Sequence, residues 1–407
     1  MNLIASVGYT LRGEIEASIV ERGQVVRRFP RQRNLILNQG LDQIASLYIA
    51  NCFQYAAMGS GTTPTESDSG VETVNIVSGT ATISTIGFLA GDATDVGKTI
   101  KLDTSGNTFL VTGFTSTTQC TVSPSSTIGP DTFIIYNTNQ TGLTTEITGG
   151  GGASRRTSTY LTGAPNCQTV TTGAVTVLTR TFDFSVETGP NSCNEVGFAS
   201  TSTVGSNLFS RIKLPSTASL TAGQQLRVKY SVSVTVSPIT PQTIGSSPVV
   251  GWPAATGTLQ CEEIPVAFIQ TNGFVVSTKA FNSVDSKYYC GFGEPSTTGD
   301  NFTTISMSST APAHGTYGAA RSASAWLTQE GYRPTLSTYT VGTYTRDQLY
   351  TFLVGQANRS DWRALYLMDA GSASNDVVFL YVFDTIQQKL STHTLTVGFR
   401  HTWGRVL

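Results

Sequence analysis

The sequence predicts an all-β protein: antiparallel β-sandwich domains, one short N-terminal helix and a small inserted β-domain. Three observations carry that prediction. Apolar residues alternate with polar ones at a period of two in "YTLRGEIEASIV" and "QQLRVKYSVSVTV". Charged residues make up only 13% of the chain, against about 25% in ordinary soluble proteins. Gly is frequent, and Ser and Thr fill the intervals between apolar runs, which suits short strands joined by polar turns.

The totals exclude several classes. A chain of 407 residues suggests two or three domains, and 39% hydrophobic residues can fill their cores. A formal net charge of −1 gives no general pull toward nucleic acid or an anionic membrane. No run of 18 apolar residues exists, so no membrane insertion is expected. "MNLIASVGYTLRGEIEASIV" lacks a basic n-region and a long apolar core, so no signal peptide is expected and the chain should stay in the cytoplasm where it is made. The six cysteines, Cys52, Cys120, Cys167, Cys193, Cys261 and Cys290, include no C-x-x-C pair. They read as free, mostly buried thiols in a reducing compartment, not as zinc ligands.

Residues 8–37 read as strands. Leu11, Gly13, Ile15, Ala17 and Ile19 oppose Thr10, Arg12, Glu14, Glu16 and Ser18. "RRFPRQR" then gathers Arg27, Arg28, Arg31 and Arg33, a candidate patch for nucleic acid or an acidic partner and, in a larger assembly, for docking onto a particle. Glu14, Glu16 and Glu21 balance them, and Pro30 discourages stray pairing, so a polar sheet edge is the plainer reading. The run "NQGLDQIASLYIAN" predicts a helix with Leu41, Ile44, Ala45, Tyr48 and Ile49 on one face, and Asn38 or Asp42 is placed to help its N-terminus.

"YAAMGSGTTPTESDSG" begins as a strand and ends in a Gly-Ser-Gly turn. A phosphate loop would need Lys and a following helix. Here strand-like sequence follows instead, and Glu66, Asp68 and Glu72 would repel phosphate. The stretch therefore reads as a connection into an inserted β-domain over 73–141. Residues 1–72 and 142–240 would together form the platform sandwich, with "TGGGGASRR" as a flexible link. The Pro- and Gly-rich residues 241–253 mark a linker, and 254–407 a C-terminal β-rich domain with one further helix near "TRDQLYTFLVGQAN". The last strand, "STHTLTVGFRHTWGRVL", is either the sheet's final member or lent to a neighbour. "GFASTSTVGSNLF" and "GFGEPSTTGDNFT" form a faint repeat that turn chemistry alone could produce.

No catalytic, cofactor or metal site is expected. His314, His393 and His401 have no metal spacing, and no G-x-S-x-G elbow occurs. Glu187 and Glu195 are near in sequence, but Glu195 within "NEVGF" reads as bonded to backbone or to an Arg at a strand start. "DAGSASNDV", with Asp369 and Asp376, lacks the calcium-loop spacing and reads as a turn. All four tryptophans lie after residue 251. Trp326, Trp362, Arg363, Tyr366 and Trp403 are the candidates for contact with a partner or a host receptor, since Trp, Tyr and Arg anchor binding surfaces. The alternative is that a large β-domain needs bulky core residues.

Three stretches carry a resemblance. "RNLILNQGLDQIA" followed by "FQYAAMGSGTTPTESDSG" resembles the opening of many tailed-bacteriophage virion proteins, where Asn-Leu-x-x-Asn-x-Gly-Leu precedes a strand ending in Gly-x-Gly-Thr-x-x-Pro. "RTFDFSVETGPNSCNEVGFASTSTVGSNLFSRIKL" resembles the later part of that domain, and "DVGKTIKL" with "NTFLVTGFTSTTQCTV" is similar to β-modules inserted in tail and fibre proteins. The likeness covers roughly residues 30–240. It implies a structural virion component: a tail fibre, tail-tip or baseplate part, with a capsid or neck decoration as the alternative. It also implies a symmetric homo-oligomer, trimer or higher, that meets other virion proteins and brings no catalytic residues. Low charge and Thr/Ser-rich strands would favour flat, dry interfaces. A reading from another class is a carbohydrate-binding adhesin or depolymerase that grips host surface glycan through its Trp-rich C-terminal part.

Overall fold

The computed structural model describes residues 2–47, 49–83, 95–150, 155–158, 167–172, 175–236, 241–244, 255–261, 288–293, 329–332, 335–356, 362–369, 376–387 and 389–407. It is built mainly of strands, as the alternation requires. Strand β1 (Asn2–Glu21) runs unbroken for 20 residues. Leu3, Ala5, Val7, Tyr9, Leu11, Ile15, Ala17 and Ile19 are buried, while Thr10 and Glu16 face out. Arg22 and Gly23, both at positive φ, turn the chain into β2 (Gln24–Arg28), and β3 (Gln32–Ile36) follows Pro30.

The expected helix over 38–51 is two pieces, α1 (Asn38–Ile44) and a single turn, α2 (Ile49–Cys52). Leu41 and Ile44 do face the core. The break has a tertiary cause. The carbonyls of Leu41 and Ala45 accept Trp403 Nε1 at 2.8 Å and Arg346 Nη1 at 2.7 Å, where a continuing helix would bond its own backbone. Neither Asn38 nor Asp42 caps α1. Asn38 Nδ2 donates to the Gly97 carbonyl, and Asp42 Oδ1 accepts from the Gly342 amide.

Strand β4 (Tyr55–Gly59) leads to β5 (Glu66–Val77), β6 (Thr80–Ile83), β7 (Thr99–Leu102), β8 (Thr108–Ser116), β9 (Gln119–Ser123) and β10 (Ile128–Tyr136). The last six close a barrel in the order β10-β5-β6-β9-β8-β7. The barrel has its own core around Ile76, Ile100, Phe109, Val111 and Phe133. The chain returns through β11 (Arg156–Thr157), β12 (Cys167–Thr172), β13 (Val175–Asp183), β14 (Asn191–Ala199), β15 (Leu208–Leu220) and β16 (Gln224–Val236). It continues as β17 (Pro241–Ile244), β18 (Ala255–Cys261), β19 (Tyr288–Gly293), β20 (Gln329–Tyr332), β21 (Thr335–Leu336) and β22 (Thr345–Phe352). β23 (Trp362–Asp369), β24 (Asp376–Gln387) and β25 (Leu395–Arg405) complete it.

The main sheet has 13 strands along the path β11-β4-β14-β15-β3-β1-β16-β13-β12, with β2 and β25 also on β1 and β21 and β22 beyond β25. β1 is its centre. It runs antiparallel to β16 over Tyr9–Glu21 and parallel to β25 over Asn2–Leu11. A second sheet has the order β17-β18-β24-β23-β19-β20. One buried cluster takes side chains from both sheets: Tyr230, Phe198 and Phe182 from the first, Leu365, Tyr381 and Phe383 from the second.

Several expectations change here. The segment 254–407 does not stand apart, because β25 pairs with β1 and Leu365, Tyr381 and Phe383 share the main core. The linker expected over 241–253 contains β17, paired with β18. The helix expected near residue 345 is β22, paired along its length with β25. Gln348 and Phe352 are its buried residues, and a spacing of four satisfies both periods, so the pattern alone could not separate helix from strand. The two repeat stretches start in β14 and β19, but the second runs on into residues outside those described.

His401 on β25 is buried, with Tyr9 Oη 3.0 Å from its Nδ1. Burial lowers its pKa to about 4, outweighing the opposite pull of Asp347. The folded state thus holds a neutral ring, while the unfolded chain takes up a proton near pH 6.5. Stability should therefore fall as pH drops from about 6.5 to about 4, by roughly 3 kcal/mol from this group. Urea midpoints across that window check it, and His401→Phe should flatten the slope.

Candidate functional site

The Gly-Ser-Gly run after β4 is where three of the motif stretches meet. β4 pairs with β14, which sets Gly59 opposite Glu195. β14 pairs with β15, which brings Arg211 beside that carboxylate. Arg211 Nε lies 2.6 Å from Glu195 Oε2, and both side chains are fully buried. A charge pair so deep needs its remaining groups satisfied. Arg211 donates further to Gln140 Oε1, to the Thr63 carbonyl at 2.6 Å and to Thr144 Oγ1. Glu195 Oε1 accepts the Thr145 amide at 3.1 Å.

This pair accounts for the glycines. A Cβ on Gly59 would come within 2.6 Å of Glu195 Cγ, and one on Gly61 would strike Glu195 Oε1 and stand 2.6 Å from Thr144 Cβ. The run lets backbone pass directly over a buried carboxylate. Gly61→Ala should cost about 1–3 kcal/mol through overpacking alone, read as a lower thermal midpoint. Gly40 in "NQGL" has a matching role: a side chain there would run into the Phe209 carbonyl of the "LFSR" strand.

The network spans both connections between sheet and barrel, residues 60–65 and 137–147. A second buried pair lies nearby. Arg155 Nε meets Glu146 Oε1 at 2.8 Å, and its Nη1 donates to the carbonyls of Thr201 and Ser206. On the other flank Arg405, half-buried, donates to the Ile36 carbonyl, to Asn38 Oδ1 and to Thr99 Oγ1 of β7. Burial lowers its pKa to about 10, so it stays charged at neutral pH. Lys101 Nζ donates to the Leu407 carbonyl. The barrel is thus tied down by α1, the connections and the last strand together.

The arginines divide. Arg31 pairs with Glu14 and, at 3.9 Å, with Glu16. Arg27 lies over the Phe29 ring and donates to Ser216 Oγ and the Thr217 carbonyl. Arg28 and Arg33 are exposed and meet no carboxylate among the described residues. Arg33 lines a cleft of about 750 Å³ between β3, β15 and the barrel, and Arg28 a smaller one of about 520 Å³ shared with Lys229.

Of the aromatic candidates, those on β23 and Trp403 on β25 lie in different sheets. Trp403 is 4% exposed, donates to Leu41 and stacks on Tyr339. It is a core residue rather than a contact residue, because β25 lies inside the main sheet. Trp362, Arg363 and Tyr366 belong to β23, in the middle of the second sheet, and Trp326 lies outside the described residues. Cys52, Cys120 and Cys193 are buried thiols, and burial raises the pKa of all three. Among the described residues no group of three His, Cys, Asp or Glu is placed to hold a metal ion.

The sequence predicts Glu195 bonded to backbone or to an Arg, and the structure shows both, through the Thr145 amide and Arg211. The sequence does not single out Arg211, although it sits in "LFSRIKL" at a buried strand position. A cation amid Leu208, Phe209 and Ile212 was the available signal. No protein family model, curated protein or solved structure matches the chain.

Proposed function

We propose that this chain is a structural component of a bacteriophage virion, attached to the tail, working by assembly and contact instead of turnover. One observation supports the reading above others. The residues that carry the virion resemblance, Gly40, Gly59, Gly61, Glu195 and Arg211, interlock around one buried ion pair or seat α1 on β15. Motifs scattered over some 170 residues of sequence thus act as one device, which fastens an inserted barrel to a sheet. Such a device presents a stiff module at a fixed angle, which suits a part in a larger particle. The tail location, in preference to a capsid or neck decoration, rests on the likeness of the barrel stretch to modules of tail and fibre proteins.

Mass spectrometry of density-purified particles induced from the source organism tests the reading. The chain is expected at a fixed ratio to the major particle proteins, and antibody labelling is expected at the tail. Particles that lack the chain would overturn the proposal; label on the head alone would move it to decoration. Light scattering on the purified full chain is expected to give a trimer or higher oligomer.

A further inference from the structure

β3 and β15 are neighbours in the main sheet for only a short distance. Their ladder comprises Ser210 opposite Ile36 and Arg211 opposite Leu35, extended by the Leu37 amide on the Phe209 carbonyl. Beyond that the strands part. Gln32, Arg33 and Asn34 pair with β1 on their inner side, and Ile212 and Lys213 pair with β14 on theirs. Among the described residues no strand joins the two edges that face each other. The 750 Å³ cleft lies here, with Gln32–Leu35 along one wall and Ile212–Pro215 along the other.

Its chemistry has two sides. Arg33 and Lys213 point outward from opposite walls, exposed and without a carboxylate partner among the described residues. Ile212, Leu214 and Tyr136, all buried, form its apolar floor, and Glu66 lines its barrel side, exposed. Asn34, 5% exposed, bonds Ser210 through Nδ2 and leaves Oδ1 without a donor among the described residues. At the far end Arg27 reaches across from β2 to the Thr217 carbonyl, so a side chain stands where a strand would pair. Pro215 and Arg27 are the residue types that keep an open edge from pairing indiscriminately.

We infer that this split seam receives an extended segment of another polypeptide, in which acidic residues alternate with apolar ones. Its backbone pairs with the free edges of β3 and β15. Its carboxylates meet Arg33 and Lys213, and its apolar side chains enter beside Ile212 and Leu214. Backbone pairing supplies affinity and the alternating pockets supply selection, the strand-addition mode of recognition. A nucleic acid would use the cations and leave both backbone edges unpaired, so the seam favours a peptide. The inference stands whether or not the chain belongs to a virion.

The test uses the full chain and a capped seven-residue peptide alternating Glu with Val. Controls are its Lys–Val counterpart, the same Glu–Val peptide N-methylated at alternate residues, and an oligothymidine. Calorimetry should show binding of the Glu–Val peptide only. Hydrogen exchange should slow at the amides of Gln32–Asn34 and Ile212–Leu214. Arg33→Glu with Lys213→Glu, both surface changes whose folding circular dichroism verifies, should weaken it about tenfold or more. Equal binding of the N-methylated peptide or the oligothymidine would make the cleft a general anion site and overturn the inference. So would no binding by any peptide, or binding without slowed exchange at both walls. Slow exchange there in peptide-free protein, lost on dilution, would show that a second copy fills the seam, and would equally overturn it.

Discussion

Arg211→Ala is expected to destabilise the protein by about 3–5 kcal/mol, read as a fall in the urea midpoint. The substitution leaves the Glu195 carboxylate buried with only the Thr145 amide as a described donor. It also strips the hydrogen bonds from the Thr63 carbonyl and Gln140, so both connections to the barrel lose their anchor. The loss should therefore be local as well as global, with faster hydrogen exchange at Thr145 than in the centre of β1. Glu195→Gln combined with Arg211→Met removes both charges at similar volume and should recover most of the loss. An unchanged midpoint for Arg211→Ala would mean that the pair carries no structural weight.

Trp403→Ala should cost a comparable amount, about 3–5 kcal/mol, for a different reason. The indole is 4% exposed, its ring stacks on Tyr339 at 5.8 Å, and its Nε1 holds the Leu41 carbonyl at the end of α1. Truncation opens a cavity among strand, helix and the 339–344 turn, and leaves that carbonyl without its partner. Trp403→Phe keeps most of the buried area and loses the hydrogen bond, so it should cost about 1–2 kcal/mol. Denaturation of both variants, followed by near-ultraviolet circular dichroism, separates the packing from the bond. If Trp403 were a receptor contact instead, the Ala variant would melt like the parent.

Period-two alternation made the long strands legible. The inward residues of β1, Leu11, Ile15, Ala17 and Ile19, and those of β16, Leu226, Val228, Tyr230, Val232 and Val234, are the ones the pattern marks. Turn chemistry marked the inserted β-module. Long-range partners stayed hidden, because alternation says which way a side chain faces and nothing about which strand lies beside it. Nothing in "TLTVGFRHTW" announces a place next to β1, nor does "GLDQIAS" show that Trp403 and Arg346 will claim its carbonyls. At the junction the sequence marked Gly59, Gly61 and Glu195 as structural. It could not assign Arg211 to them, since the partners, 16 apart in sequence, lie on two different strands.

The parallel pairing of β1 with β25 has a consequence for synthesis. Residues 9–21 can find β16 once the chain has grown past residue 236, but residues 2–8 have no partner in the described sheet until β25 emerges. At ribosomal speeds that delay is on the order of 20–80 s for the roughly 380 intervening residues. Throughout it Leu3, Ala5 and Val7 stay uncovered on an edge able to pair with any passing strand. A nascent chain stalled before Leu395 should therefore be recognised by chaperones and prone to aggregate, while addition of β25 releases it.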